Sequence, residues 1–400
     1  MKIYTAKSNT ASPKTIVLDD MLLTKAMPTM AGSRMLEGFY SLFDCEVLTR
    51  LESAGYVLGG KCDVGEFAID LVGETSYNGA ITENGALQSA SASVIKSGEA
   101  VAVICLDVNG SVRRTTAQNG LVSIKPTYGT VSRFGTVAVA CSGETVSVMA
   151  DSADKCAQIL DTIAGHDAKD GTSLCDELCD RVKSSAPKAS VKRVAIISSS
   201  LDGVDSEVMA KIDTFKAILA KNGVEVCVID SDIFTLARPA WNILMCSELC
   251  NNVSRYDGVK YGYRSSTFTT IDELYTNSRT EAFGELLKSA ILFGSDNLSD
   301  ENYDRAYDKA LRTRRVIVNA LNRIFGDFDA ILSPACSKMA YTPEDIASDK
   351  YISFTENAFS APASISGLPC VVCGGVSFIG RAFSEGMLLD IARMYEEATK

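Results

Sequence analysis

The residues best placed to do chemistry lie in the run from Cys105 to Gly135, CLDVNGSVRRTTAQNGLVSIKPTYGTVSRFG. An apolar stretch, VAVICLD, enters a tight polar turn in which Ser111 follows Gly110. A serine on a glycine-containing turn after a buried strand exposes a hydroxyl beside backbone N–H groups, the two things an acyl-transfer nucleophile needs. Gly-Ser turns also serve structure alone, so the chemistry depends on a base within reach. His166 is the only histidine in the chain, which argues against Ser-His-Asp and Cys-His mechanisms.

Thirteen cysteines are the other conspicuous reactive group. Cys175/Cys179, Cys246/Cys250 and Cys370/Cys373 are locally paired, and Cys370-x-x-Cys373 has redox or zinc spacing. That pair sits in the apolar run LPCVVCGG. With no export signal in MKIYTAKSNTASPKTIVLDD, the cysteines read as reduced, buried, small apolar residues of a cytoplasmic protein. Neither a metal nor another cofactor is expected. A net charge of −11 argues against direct nucleic-acid binding, which needs clustered Lys and Arg. No apolar run is long enough to span a membrane. The apolar share of 46% is ample for a sizeable core in a chain of 400 residues.

The elements that must hold Ser111 follow from periodicity. Residues 36–55 read as a helix, with Val47, Leu48 and Leu51 on its apolar face and Gly55 as the stop. YVLGGKC reads as a strand, and ALQSASASVIKSG (86–98) as a small-residue helix inside the core. Asp151 or Ser152 caps a helix with Cys156, Ile159, Leu160 and Ile163 on one face, closed by Gly165. RVAIISSS, a helix opened by Asp205 and ended by Gly223, and VEVCVID make a βαβ unit. Residues 272–325 are mostly helical, FDAILSPA is a buried strand, and SEGMLLDIARMYEEATK is an amphipathic helix. The segment 168–190 is the softest boundary, a surface excursion rather than a hinge.

Through KPTYGTVSRFG, AQILDTIAGHDAKDGTS and SRYDGVKYGYR, the chain resembles the amidase-signature family. Within it, SRYDGVKYGYR and ELYTNSRTEAFGELLK resemble the GatA group, the glutamine-hydrolysing subunits of the tRNA-dependent amidotransferase GatCAB. The likeness runs from about Leu18 to Ala398. It implies an α/β fold, a large mixed, twisted β-sheet flanked by helices on both faces, with residues 1–400 as a single domain. Relative to the family the chain is shortened at its N-terminal helical region, in the loop before the PGGSSGG motif, and at CVVCGGVSFIGRAF, where family members carry a hairpin.

The family uses a Ser–cis-Ser–Lys triad, in which a neutral lysine takes the nucleophile's proton through a bridging serine. By resemblance Ser111 is the nucleophile, in Asp107-Val108-Asn109-Gly110-Ser111-Val112-Arg113, with Val108, Asn109 and Gly110 as the oxyanion turn. Asn109 replaces a glycine, and asparagine tolerates left-handed backbone angles. The bridging-serine position holds Leu87, with Ser89 and Ser91 nearby. The lysine position holds Asp19, an ordinary carboxylate with a pKa of about 4 and a poor base for an alcohol. Lys14 and Lys61 are the nearest lysines in sequence. The family's S-S-L-D-Q-I-G-P reads Cys141 to Val148 here, CSGETVSV. The positions that hold glutamine's α-carboxylate and α-amine match Arg314 and Asn357, the latter having lost the charge that pairs with an ammonium.

The resemblance thus implies a catalytically impaired paralogue with a binding or scaffolding role in translation. Its expected partners are GatB-like and GatC-like subunits and glutamine or another small amide ligand. The alternatives are an active glutaminase subunit that uses Ser111 with a relocated base, such as Lys61, or a small-molecule binding protein that reuses the glutamine pocket.

Overall fold

A computed structural model describes residues 2–10 and 12–400. The chain opens with β1 (Tyr4–Lys7), β2 (Thr15–Asp19), α1 (Glu46–Ser53) and β3 (Val57–Cys62). A hairpin of β4 (Ile81–Glu83) and β5 (Ala86–Gln88) leads into α2 (Ala90–Lys96). β6 (Ala102–Asp107), α3 (Ser111–Gln118), β7 (Val122–Lys125), β8 (Thr145–Ala150) and α4 (Ala153–Ile163) follow. Beyond the short α5 (Asp176–Cys179) come β9 (Arg193–Ile197), α6 (Ser206–Lys221) and β10 (Glu225–Ile229). A helical stretch holds α7 (Ile233–Val253), α8 (Ile271–Ala282), α9 (Glu285–Asn297) and α10 (Tyr307–Asp327). The chain closes with β11 (Ala330–Pro334), α11 (Pro343–Ser348), α12 (Ile352–Ser366), β12 (Cys370–Cys373), β13 (Val376–Gly380) and α13 (Glu385–Ala398).

Eleven strands form one mixed sheet, in the order β1-β3-β2-β6-β8-β7-β12-β13-β11-β9-β10. β3, β2 and β6 run parallel, while β8, β7, β12 and β13 alternate in direction. β9 and β10 pair in parallel around α6, as the βαβ pattern requires. The interior strand β6 is buried along its whole length, which is why AVICLD is an unbroken run rather than an alternation. Helices flank the sheet. α1, α4, α13 and α6 pack in series, and α7 is the hub of a group with α9, α10 and α12. Among the described residues no helix is long and apolar enough to cross a membrane.

Several local expectations change. The helix expected over 36–55 is confined to Glu46–Ser53, and Arg34–Leu36 is a separate 3₁₀ turn. Residues 38–45 form a loop because their backbone bonds elsewhere: Thr29 N–H donates to Phe39 O, and Cys45 N–H to Leu23 O. The segment 86–98 begins as a strand, because Asn84 and Gly85 (φ 51 and 82) form a tight hairpin turn. Nine of the thirteen thiols are buried and all are unbridged, but Cys175 is exposed and Cys141, Cys227 and Cys250 are half-buried. Cys370 and Cys373 lie three apart on one strand, so their side chains leave opposite faces of the sheet and cannot share a ligand.

At CVVCGGVSFIG, β12 and β13 join directly through Gly374 and Gly375, both left-handed (φ 55 and 90). A Cβ on Gly374 would lie 2.5 Å from the Tyr395 ring and 2.7 Å from Phe215. Gly374→Ala therefore combines backbone strain with a ring clash and is expected to destabilise the fold by about 2 kcal/mol or more. A urea unfolding midpoint equal to wild type would show that the turn relaxes freely.

Candidate active site

The parallel strands β3, β2 and β6 end side by side, and the carboxyl ends of parallel strands are where open α/β sheets place their sites. Asp19 ends β2, Cys62 and Asp63 lie at the end of β3, and β6 runs through Asp107 into the Ser111 turn. A cavity of about 30 Å³ lies there, lined by Asp19, Asp63, Asp70, Ser89, Ser91 and Ser111, among others. No lysine, arginine or histidine is among its lining residues. The volume has room for about two water-sized molecules.

Ser111 is the first residue of α3. The left-handed residue of its turn is Gly110 (φ 83), not Asn109, so the glycine that the backbone needs is still present. A Cβ on Gly110 would stand 2.4 Å from Ser360 Cβ, because α12 presses on the turn there. Gly110 N–H donates to Asp107 Oδ1 (3.2 Å), which leaves that N–H partly engaged. Asn109 points away from the cavity: its Nδ2 donates to Ile69 O (2.7 Å), and its Oδ1 accepts from Trp241 Nε1 (3.3 Å). Val108 is buried core.

Asp19 is fully buried. Its Oδ1 accepts Met21 N–H (3.0 Å) and its Oδ2 accepts Leu106 N–H (2.7 Å). Burial outweighs these two donors and pushes its pKa up to about 7, so the ordinary value near 4 expected from the sequence does not apply. Leu87 is buried in β5, and its N–H donates to Tyr341 O (2.7 Å); it is not on the cavity. Ser89 and Ser91 are, and Ser91 Oγ meets Cys62 Sγ at 3.3 Å. Every described peptide bond is trans.

Lys61 lies outside this cavity. Its ammonium is bound by the Asp20 carboxylate (2.8 Å), Pro28 O (3.0 Å) and Thr29 Oγ1 (2.5 Å), in a pocket with no solvent exposure. Lys14 sits near the opposite end of β2, over the Tyr56 ring.

Arg314 and Asn357 are not brought to Ser111. Arg314 Nη2 donates to Ser142 O (2.9 Å). Asn357 is fully buried; in the orientation that satisfies both ends of its carboxamide, its nitrogen donates to Asn109 O (3.0 Å) and Ser353 O (3.1 Å). Between the two lies Trp241, the chain's one tryptophan. Its Nε1 edge bonds Asn109, and its far edge lies over Gly143, where a Cβ would meet Cη2 at 2.3 Å. Trp241 thus spans from the Ser111 turn to the Ser142–Gly143 segment that Arg314 bonds. In CSGETVSV, Glu144 is a buried anchor: it pairs with Arg133 (2.7 Å) and accepts the N–H groups of Val139 and Ala140.

The profile of the family described as Amidase matches residues 15–389. The chain belongs to the amidase-signature family. It is 33% identical over 401 residues to the A subunit of the glutamyl-tRNA(Gln) amidotransferase of Coxiella burnetii (strain RSA 493 / Nine Mile phase I), covering 96% of this chain and 83% of that protein. The corresponding protein of Acinetobacter baumannii (strain AB0057) is 34% identical, covering 95% and 81%. The crystal structure of the same kind of subunit from Thermotoga maritima matches with a TM-score of 0.80 at 25% identity, covering 99% of this chain and 88% of that one.

The two ends of the matched motif, Asp107 and Arg113, hold this amidase-signature site in place. Arg113 Nε and Nη2 grip both oxygens of Asp107 (2.7 and 3.0 Å), while Nη1 donates to Ser360 O and Nη2 to Ser364 Oγ, each at 2.7 Å. Burial alone would raise the Asp107 pKa, but the Arg113 guanidinium outweighs it and holds the carboxyl below its usual range. Motif matching misses Asp63 and Asp70, two carboxylates of the cavity wall; the sequence signal for Asp70 is a carboxylate set in the otherwise apolar string FAIDLV.

Arg113→Met leaves a buried carboxylate unpaired and is expected to cost about 3–5 kcal/mol. Adding Asp107→Leu should recover part of that loss, measured by chemical denaturation; a double variant no better than the single one would mean the pair is not the source of the effect. For Asp19, a folded-state pKa above the unfolded value means that the native protein holds the proton between about pH 4 and about pH 7. Its contribution to stability is therefore greatest below about pH 4 and falls as pH rises to about 7. Against Asp19→Asn, wild-type stability should fall across that window by on the order of 1.4 kcal/mol per pH unit. Parallel pH profiles for the two proteins would contradict the raised pKa.

Proposed function

We propose that this GatA-like protein is an amidase-signature paralogue with a binding or scaffolding role and little glutaminase activity. The observation that carries the reading is the Ser111 cavity, which is water-sized and has no basic side chain on its wall. A glutamine side chain needs far more room, and a serine needs a base to become a nucleophile. Asp19, Leu87, Arg314 and Asn357, at the positions that match the family's lysine, bridging serine and glutamine holders, support the same reading. Residues 1–400 act in it as one domain on a continuous sheet. The curated relatives are named as amidotransferase subunits, so the partners we propose are GatB-like and GatC-like chains in the cytoplasm, with translation as the setting.

One observation favours a second reading, an active hydrolase with Ser111 as nucleophile. Asp19 shares the cavity with Ser111 and Ser89, and a carboxyl titrating at about 7 is a better general base at neutral pH than an ordinary one.

The deciding experiment is ammonia release from glutamine by the purified protein, alone and with GatB-type and GatC-type subunits, with Ser111→Ala as control. We expect turnover in wild type and Ser111→Ala to be indistinguishable. Ser111-dependent turnover that rises with a midpoint near pH 7 and is lost in Asp19→Asn would replace the first reading by the second. Failure to co-purify with either type of subunit would remove the scaffolding role.

A further inference from the structure

A second cavity, of about 600 Å³, opens between α7, α9 and α12 and shares no lining residue with the Ser111 cavity. Its volume falls in the range of small-molecule sites, roughly 300–1,000 Å³. The walls are flat and apolar: Ile243, Phe293, Tyr351 and Phe354 line it, and the last two rings stack at 6.4 Å between centroids and 18°. Phe293 and Tyr351 are 44% and 51% exposed, so the apolar lining is presented to solvent.

Three kinds of polar group reach the cavity. Asn242 and the Ser289–Tyr351 hydroxyl pair (3.2 Å) are neutral, and Arg238 is the one charged lining residue. Arg238 makes no ion pair and no hydrogen bond among the described residues, and no aspartate or glutamate lines the cavity. Arg238 thus presents an unpaired guanidinium beside stacked rings. A guanidinium matches a carboxylate through two parallel hydrogen bonds, and flat apolar walls suit an aromatic body. With no lining carboxylate, the cavity offers an ammonium no ion-pair partner.

We propose that this cavity binds small carboxylates carrying a flat apolar group, of the arylalkanoate class, through Arg238, and that it discriminates against the corresponding amino acids. The site stands apart from Ser111 and does not rest on the reading of that residue. It approaches the Ser111 turn where the Asn242 carboxamide lies 2.7 Å from that of Asn357, which in turn faces Asn109.

Isothermal titration with 3-phenylpropanoate tests this. We expect saturable binding with a Kd of about 1 mM or tighter, and binding at least about tenfold weaker for phenylalanine and for 3-phenylpropanamide. Arg238 and Thr355 are exposed residues on the cavity wall, so their variants should fold. Arg238→Glu should weaken 3-phenylpropanoate at least about tenfold, and Thr355→Trp should obstruct it. No saturable binding up to about 10 mM, equal affinity for the acid and its amide, or an unchanged Kd in Arg238→Glu would each overturn the proposal. The titration is repeated on Ser111→Ala, where the same Kd is expected. A Kd that shifts with Ser111→Ala would place the ligand at the Ser111 cavity and sink the proposal, whatever the ammonia assay shows.

Discussion

The structure depends first on the buried pairing of Arg113 with Asp107. One guanidinium ties the end of the interior strand β6, the first turn of the following helix and the middle of α12 through four hydrogen bonds, with almost no exposure to water. Bringing both charges out of water is costly, and only geometry this complete offsets it. Gly110 follows from the same constraint. With α12 drawn against the turn, no side chain fits beside Ser360, and the backbone there must be left-handed. Lys125 senses the pair as well: burial and the nearby Arg113 charge lower its pKa to about 8, and it donates to Leu368 O (2.9 Å).

Around that clamp, Asn109, Trp241 and Asn357 form one connected set of buried contacts. Asn109 extends a carboxamide that both Ile69 O and Trp241 satisfy. Trp241 in turn reaches Gly143, and Asn357, where a carboxylate would face the Asn109 carbonyl, can donate to it instead. Buried polar groups are retained when each finds its partner. Lys61 obeys the same rule: paired with Asp20 and capped by Pro28 and Thr29, it is a structural ion pair in a fully buried pocket.

Much of the fold was legible in the residue pattern. VAVICLD, RVAIISSS and FDAILSPA are strands because continuous apolar runs suit interior strands of a covered sheet, whereas VEVCVID is the partly exposed edge strand β10. Asp205 caps α6 through Val208 N–H, as its place before a 3.6-residue repeat implies. Residues 38–45 misled because their backbone bonds go elsewhere than into a helix: Phe39 O accepts from Thr29 N–H, Cys45 N–H donates to Leu23 O, and Phe43 N–H donates to Ser41 Oγ. The hairpin before α2 was signalled by Asn84-Gly85 and hidden by the helix-like SASASV that follows.

Sequence by itself determined the family and the strand that delivers Ser111, because both are read from local strings. Only the tertiary structure decided what the residues of the site can reach. The approach of β2, β3 and β6 put Asp19, Asp63 and Ser111 on one small cavity, and burial there moved Asp19 to about 7. The packing of α7 and α12 sent Trp241 between Arg314 and the turn, and opened a separate cavity beside Arg238. Distances between residues more than a hundred positions apart, and the dielectric each one feels, are properties of the packed molecule, and no spacing along the chain encodes them directly.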